Sequence, residues 1–225
     1  MIRWEQLDAA VVPDGGGELR LMRRGAELSI MAGATELMNS RLSGSEEALA
    51  TLTWARIGAR PKPRVLIGGL GMGFTLRAAL AVAGPDARIT VVELVPAVAA
   101  WARGPLAELF AGSLDDPRVT LRVEDVSRTI GDGAAAWDAI LLDVDNGPEG
   151  LTRPENDRLY DGGGLGAARR ALRPSGVLAV WSSARHPAFT GRLRKAGFQV
   201  EEVQVRARSN GRGGRHTIWL ATRPA

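Results

Sequence analysis

The stretch Arg64-Val-Leu-Ile-Gly-Gly-Leu-Gly-Met-Gly73 constrains this chain more than any other. A short apolar strand runs there into a loop of alternating glycines, and a helical segment over 74–83 follows. A second strand, 88–94, carries Glu93 at its end. Glycines at such a turn let backbone approach a ligand where a Cβ would collide. The N-terminus of the following helix offers unpaired N–H groups to electron-rich atoms. A carboxylate at the end of the next strand can accept both hydroxyls of a ribose. Together these parts make a nucleotide cradle.

The spacing of the glycines narrows the nucleotide. A dinucleotide loop reads G-x-G-x-x-G, with its third glycine five positions after the first. Counted from Gly69, that position is Phe74. The chain has Gly69, Gly71 and Gly73 instead, and Glu93 lies 22 residues beyond Gly71. The tighter loop fits an adenosyl sulfonium, which has no pyrophosphate to cradle. The expected cofactor is therefore of the S-adenosylmethionine type, with Gly68, Gly69, Gly71, Gly73, Glu93 and Leu94 as candidate contacts.

The rest of the chain alternates in the same manner. Strand signals lie at 64–69, 88–94, 119–124, 137–143, 176–183, 198–207 and 217–222. Helix signals lie at 74–83, 96–110, 156–172 and 186–196, with a short turn at 126–130. Apolar strands alternating with helices predict an α/β sheet covered on both faces. The last two strands are joined by a short loop and should form an antiparallel hairpin. The expected fold is Rossmann-like and of the methyltransferase type, a seven-stranded mostly parallel sheet. Residues 1–42, with short apolar runs about Arg24-Gly25, read as a β-hairpin appendage too short for its own core. Residues 43–225 read as the cofactor-binding domain. Ser43-Gly-Ser-Glu46 has the pattern of a capping box opening a helix that runs to about Gly58.

Composition removes several function classes. The 225 residues are 45% hydrophobic, enough to bury a full core. The richest apolar stretch, 89–102, is broken by Glu93 and Pro96, so no membrane span is expected. The first residues lack the layout of a signal peptide, and cysteine is absent. These features predict a soluble cytoplasmic protein. His186 and His216 are the only histidines and lie far apart in sequence, so no metal site is expected. The net charge of +4 is carried almost wholly by arginine, in a chain also rich in alanine and glycine. That reads as compositional bias, and nucleic acid is not an expected partner. Arg206, Arg208, Arg212 and Arg215 form one local cluster, either a solvated hairpin loop or a clamp for an anionic substrate. The apolar N-terminal hairpin suggests a homodimer edge.

In open α/β sheets, ligands sit beyond the carboxyl ends of the strands at the switch in strand order. The third core strand ends in Glu124-Asp125-Val126 and the fourth in Asp143-Val-Asp145-Asn-Gly-Pro148. Asp125 could accept from an adenine amino group and Val126 could donate its N–H to the ring. Asp125 could equally cap a helix, and the two roles are compatible. Asp143 and Asp145 could face the reacting sulfonium, or simply form the turn.

At this point the chain resembles the spermidine synthase (polyamine aminopropyltransferase) family. The likeness rests on 64–77, Val91-Val-Glu-Leu-Val-Pro-Ala97, Glu124-Asp125, Trp137-Asp-Ala-Ile-Leu-Leu-Asp143, Leu159-Tyr160 and Leu172-Arg-Pro-Ser-Gly-Val177. Much of it is shared with all class I methyltransferase folds. The resemblance implies decarboxylated S-adenosylmethionine as co-substrate, Glu93 on the ribose, Asp125 on the adenine and Asp143 as the base that deprotonates the amine. The acceptor half departs from the family. The glycine loop has no acid, Asp143 and Asp145 are two apart rather than three, and the usual tyrosines are missing. Three readings follow: an amine-alkylating transferase of the spermidine synthase type, a methyltransferase of an unknown small molecule such as an anionic acceptor, and a non-catalytic adenosyl-binding protein. An acidic acceptor groove would separate the first two, and Asp143, Asp145, Glu149 and Glu46 are the candidates to build it.

Overall fold

The computed structural model describes residues 2–58, 60–144, 146–148, 157–208 and 210–225. The N-terminal segment forms a four-stranded antiparallel sheet: β1 (Glu5–Val11), β2 (Glu18–Arg24), β3 (Glu27–Ala32) and β4 (Thr35–Asn39), in that order. The expected hairpin is β2–β3, with Leu21 opposite Ile30. β1 was not legible in the sequence. It is an edge strand, largely open to solvent, and lacks a clean apolar alternation.

The second sheet comprises β5 (Arg64–Gly68), β6 (Arg88–Glu93), β7 (Val119–Val123), β8 (Trp137–Leu142), β9 (Leu172–Ser182), β10 (Gln199–Arg206) and β11 (Arg215–Thr222). Its order is β10-β11-β9-β8-β5-β6-β7, parallel except for β11, which runs antiparallel to both neighbours. This is the expected Rossmann-like, methyltransferase-type sheet with its antiparallel hairpin.

Successive strand residues point to opposite faces, and both faces are buried. Val65, Ile67, Val91, Leu141 and Ala179 pack on one side against α1 (Gly44–Ile57), α2 (Phe74–Val82) and α3 (Pro96–Arg103). Leu66, Val92, Ile140, Leu178 and Trp219 pack on the other, against α5 (Val126–Gly131), α7 (Gly162–Ala171) and α8 (Pro187–Lys195). Among the described residues no helix is long and apolar enough to cross a membrane.

Local chemistry explains where elements depart from expectation. The helix expected over 96–110 stops at Gly104-Pro105 and resumes as α4 (Ala107–Phe110). Proline has no N–H to continue the ladder. The helix expected over 156–172 is likewise two, α6 (Asp157–Tyr160) and α7, divided at Asp161, whose carboxylate caps α7 from the Gly164 N–H at 2.8 Å. The turn expected at 126–130 is α5, capped by Asp125. The capping box at Ser43 is not formed. Ser43 makes no side-chain cap, and Glu46 is turned inward at 7% exposure, committed to a buried polar cluster.

Asp138 anchors the far end of β8. It is 2% exposed and accepts from Arg60, Arg173 and the Arg64 N–H, each at 2.8 Å. Burial alone would raise its carboxyl, but these donors outweigh it and hold the group below the usual carboxylate range. Asp138→Asn should cost about 2–3 kcal/mol in urea unfolding at pH 7, because the guanidinium partners keep some solvent. The depressed acid stabilises above its unfolded value, so the gap should close as pH falls below about 4.

Candidate functional site

The strand order reverses between β5 and β8, and the cleft opens there. The Asp143 N–H donates to Gly68 O at 2.9 Å, and the Gly69 N–H donates to Val92 O at 2.9 Å. Gly69 has φ +91°, and a Cβ on it would lie 2.2 Å from the Asp143 carbonyl oxygen. Only glycine allows these two strand ends to meet. A Cβ on Gly71 would lie 2.5 Å from Met38 Cε, so the N-terminal sheet closes over the same loop.

One cavity gathers most of the candidate residues: Gly69, Gly71, Glu93, Leu94, Asp125, Val126 and Asp143 line it. Gly68 and Gly73 lie off its wall. Gly68 packs against Val126 and Leu142, and Gly73 starts α2 against the Phe110 ring. Asp145 and Glu149 lie outside the described residues. The arginines at 206, 208, 212 and 215 sit on the β10–β11 hairpin and are not part of the lining.

Glu93 organises the end of the cavity beside the glycine loop. It accepts the N–H groups of Leu70 and Val95 at 2.9 Å each, so one side chain ties the glycine loop to the turn after β6. Burial pushes its carboxyl up, and the N–H groups of Val95, Leu70, Gly71 and Leu94 oppose that. Asp125 accepts the Ser127 N–H at 2.8 Å as the cap of α5, while also facing the cavity.

The other end holds two carboxyls. Asp143 accepts the Thr75 hydroxyl at 2.6 Å, and burial lifts it to about 6 against that bond. Glu46 enters from the first turn of α1. Burial and then the charge of Asp143 raise it to about 7, although Ser45 donates to it at 2.5 Å. Ser45 in turn lies 2.8 Å from His216 Nδ1. The sequence reading weighed Glu46 as an acceptor-side acid but missed Ser45, Thr75 and His216. Their signal is weak: common residue types on elements distant in sequence.

Over this end the N-terminal sheet contributes Val12, Leu19, Ile30, Leu37 and Met38 to the wall, with Trp181 from β9. The sheet is held by its apolar face and by Trp101 Nε1–H donating to Asp8 at 2.6 Å.

The raised pair carries a stability signature. An acid whose folded value lies above its unfolded value binds more protons when folded, so stability falls as pH rises through that interval. Glu46→Gln should therefore unfold like the wild type at pH 4. At pH 8 it should be more stable by roughly 2 kcal/mol, measured by urea unfolding.

The fold and cavity together define a Rossmann-type structure of the methyltransferase class. A spermidine synthase from Thermotoga maritima superposes with a TM-score of 0.73 at 17% identity, covering 97% of this chain and 72% of that one. TrmN from Thermus thermophilus superposes with a TM-score of 0.56 at 21% identity, covering 79% and 48%. No protein-family model matches the chain. In sequence, the chain has homologues named polyamine aminopropyltransferase. One from Mycobacterium tuberculosis is 33% identical over 150 residues, 63% of this chain and 28% of that protein. Another, polyamine aminopropyltransferase 1 of Streptomyces coelicolor, is 32% identical over 165 residues, 68% and 30%. The chain spans less than a third of the length of these two relatives.

Proposed function

We propose that this protein is a transferase that alkylates an amine from decarboxylated S-adenosylmethionine or S-adenosylmethionine, with Asp143 as the base. The observation that carries the reading is the placement of Asp143: at the switch point, against Gly69, in one cavity with Glu93 and Asp125. The sequence relatives named polyamine aminopropyltransferase support it. So does the likeness in fold to a spermidine synthase in complex with the transition-state analogue AdoDATO, with a TM-score of 0.72.

When bound, the sulfonium supplies the electrophilic carbon. Glu93 would hold the ribose and Asp125 the adenine. An ammonium has no lone pair, so Asp143 must take a proton before nitrogen can attack. The new N–C bond forms as the C–S bond breaks, and sulfur leaves as a neutral thioether. Thr75 holds the carboxylate at one oxygen and leaves the other to the amine. A base raised to about 6 stays ionised at neutral pH, yet accepts a proton more readily than an ordinary carboxylate.

Methyl transfer is the second reading. The apolar wall and the acid-free glycine loop favour it, since a long dication wants several carboxylates. Calorimetric titration with the two sulfonium compounds separates the readings. Tighter binding of the decarboxylated form supports aminopropyl transfer, tighter binding of the carboxylated form supports methyl transfer, and binding of neither removes both. Glu93→Ala should weaken adenosyl binding by roughly 1.5–3 kcal/mol, and unchanged affinity would remove its ribose role.

Asp143→Asn should leave sulfonium affinity within a few-fold but lower turnover about 10²–10⁴-fold. In the wild type, turnover should rise with pH through a limb near 6 as Asp143 ionises. That limb should vanish in the variant. Normal turnover by Asp143→Asn would exclude it as the base.

A further inference from the structure

Alkylation of an ammonium releases a proton inside a cleft roofed by the N-terminal sheet, and that proton has to leave. Among the described side chains the base is hydrogen-bonded to Thr75, and the Thr75 hydroxyl is directed at Asp143 or at the Glu46 carbonyl, 3.4 Å away. Neither contact leads outward. The proton taken by Asp143 passes, directly or through one cavity water, to Glu46, the other carboxyl lining the cavity, and a second route starts there. Its Oε2 lies 2.5 Å from Ser45 Oγ, and that oxygen lies 2.8 Å from His216 Nδ1. Ser45 is fully buried and Glu46 nearly so, whereas His216 is half-buried at the start of β11. The ring packs edge-on against Trp181, 5.0 Å between centroids, and its Nε2 lies 3.9 Å from where a Cβ on exposed Gly214 would sit.

We propose that Glu46, Ser45 and His216 form a proton exit path from the acceptor end of the cavity to the surface. The proposal rests on the alkyl-transfer reading given above. A hydroxyl between a carboxyl and an imidazole can point either way. With Glu46 protonated, its O–H donates to Ser45 and the Ser45 hydroxyl donates to Nδ1. With Glu46 ionised, Ser45 donates to Glu46 and Nδ1–H donates to Ser45. Passage from the first arrangement to the second carries one proton from Glu46 to the ring, and Nε2 releases one to solvent. The bonds exchanged are O–H and N–H only, so no co-reactant is needed. To reset, the ring turns about its Cβ–Cγ bond, exchanges its Nδ1 proton for one on Nε2 with solvent, and turns back to accept from Ser45 again.

The surrounding charges suit capture of the proton at the inner end of the path and its release at the outer end. Glu46 feels Asp143 from the end of β8 and Glu47 from its own helix, both of which favour its protonated form. Burial lowers His216, so the ring is neutral and able to accept near pH 7. Arg206 and Arg215 pair at the adjoining end of the β10–β11 hairpin and favour release of the proton from the ring.

The test uses His216→Ala and Ser45→Ala in the full chain, with amine alkylation followed across pH. Both should lower turnover about tenfold or more with sulfonium affinity unchanged. Added imidazole should restore His216→Ala in proportion to its concentration and leave Ser45→Ala unrescued, because the link to Glu46 is gone. A merely structural role for His216 gives no such rescue. Unchanged turnover in both variants, or a loss without rescue in folded His216→Ala, overturns the path.

A second measurement needs neither variant to fold nor any turnover. Nitrogen NMR of the ring in the wild type should show Nδ1 changing from acceptor to donor between pH 6 and about 8, as Glu46 ionises. Glu46→Gln should abolish that change. A ring whose tautomer ignores Glu46 overturns the path. If the wild type alkylates no amine while the ring responds as expected, it is the alkyl-transfer reading that fails, not the hydrogen-bonded path.

Discussion

The structure depends on a backbone contact: the glycine loop after β5 meeting the end of β8. Gly69 takes a positive φ and leaves no room for a Cβ against the Asp143 carbonyl. That approach, together with the Asp143 N–H to Gly68 bond, fixes how far apart the two strands open at the switch point. Everything in the cavity is referenced to it. Glu93 reaches the loop only because the loop folds back over β6, and Thr75, in the first turn of α2, reaches Asp143 only because α2 starts where the loop ends.

Electrostatics divides the cavity into two ends. At the glycine-loop end, Glu93 is surrounded by backbone N–H donors that offset part of the cost of burying it. At the other end, Asp143 and Glu46 are buried with few donors, and each makes the other harder to ionise. A site so arranged favours a cation between the two carboxyls, since a shared positive charge relieves both. The apolar side chains of the N-terminal sheet strengthen the effect by excluding water. Folding carries the cost of this pair, and strongly shifted buried carboxyls of this kind cluster at functional sites.

Legibility in the sequence followed how local each signal was. The parallel sheet, its final hairpin and the glycine cradle were readable, because period-two apolar runs and turn glycines are dictated by neighbours along the chain. Helix breaks at Gly104-Pro105 and Asp161 were missed, although proline and a capping aspartate mark them. The apparent capping box at Ser43 misled for the opposite reason. Its glutamate has the correct spacing for a cap but lies where tertiary structure needs a buried carboxyl.

By itself the sequence determined the sheet, the glycine loop and the strand-end acids, since each is written in a few adjacent residues whose conformation follows from sterics and alternation. Only the tertiary structure decided the other end of the cavity. It joined Glu46 from α1, Thr75 from α2, Trp181 from β9 and His216 from β11 to Asp143, and laid the N-terminal sheet across them. No spacing rule links residues 171 positions apart, as Ser45 and His216 are. They meet because the antiparallel β11 carries the chain back beside β9, with α1 packed on the same face of the sheet.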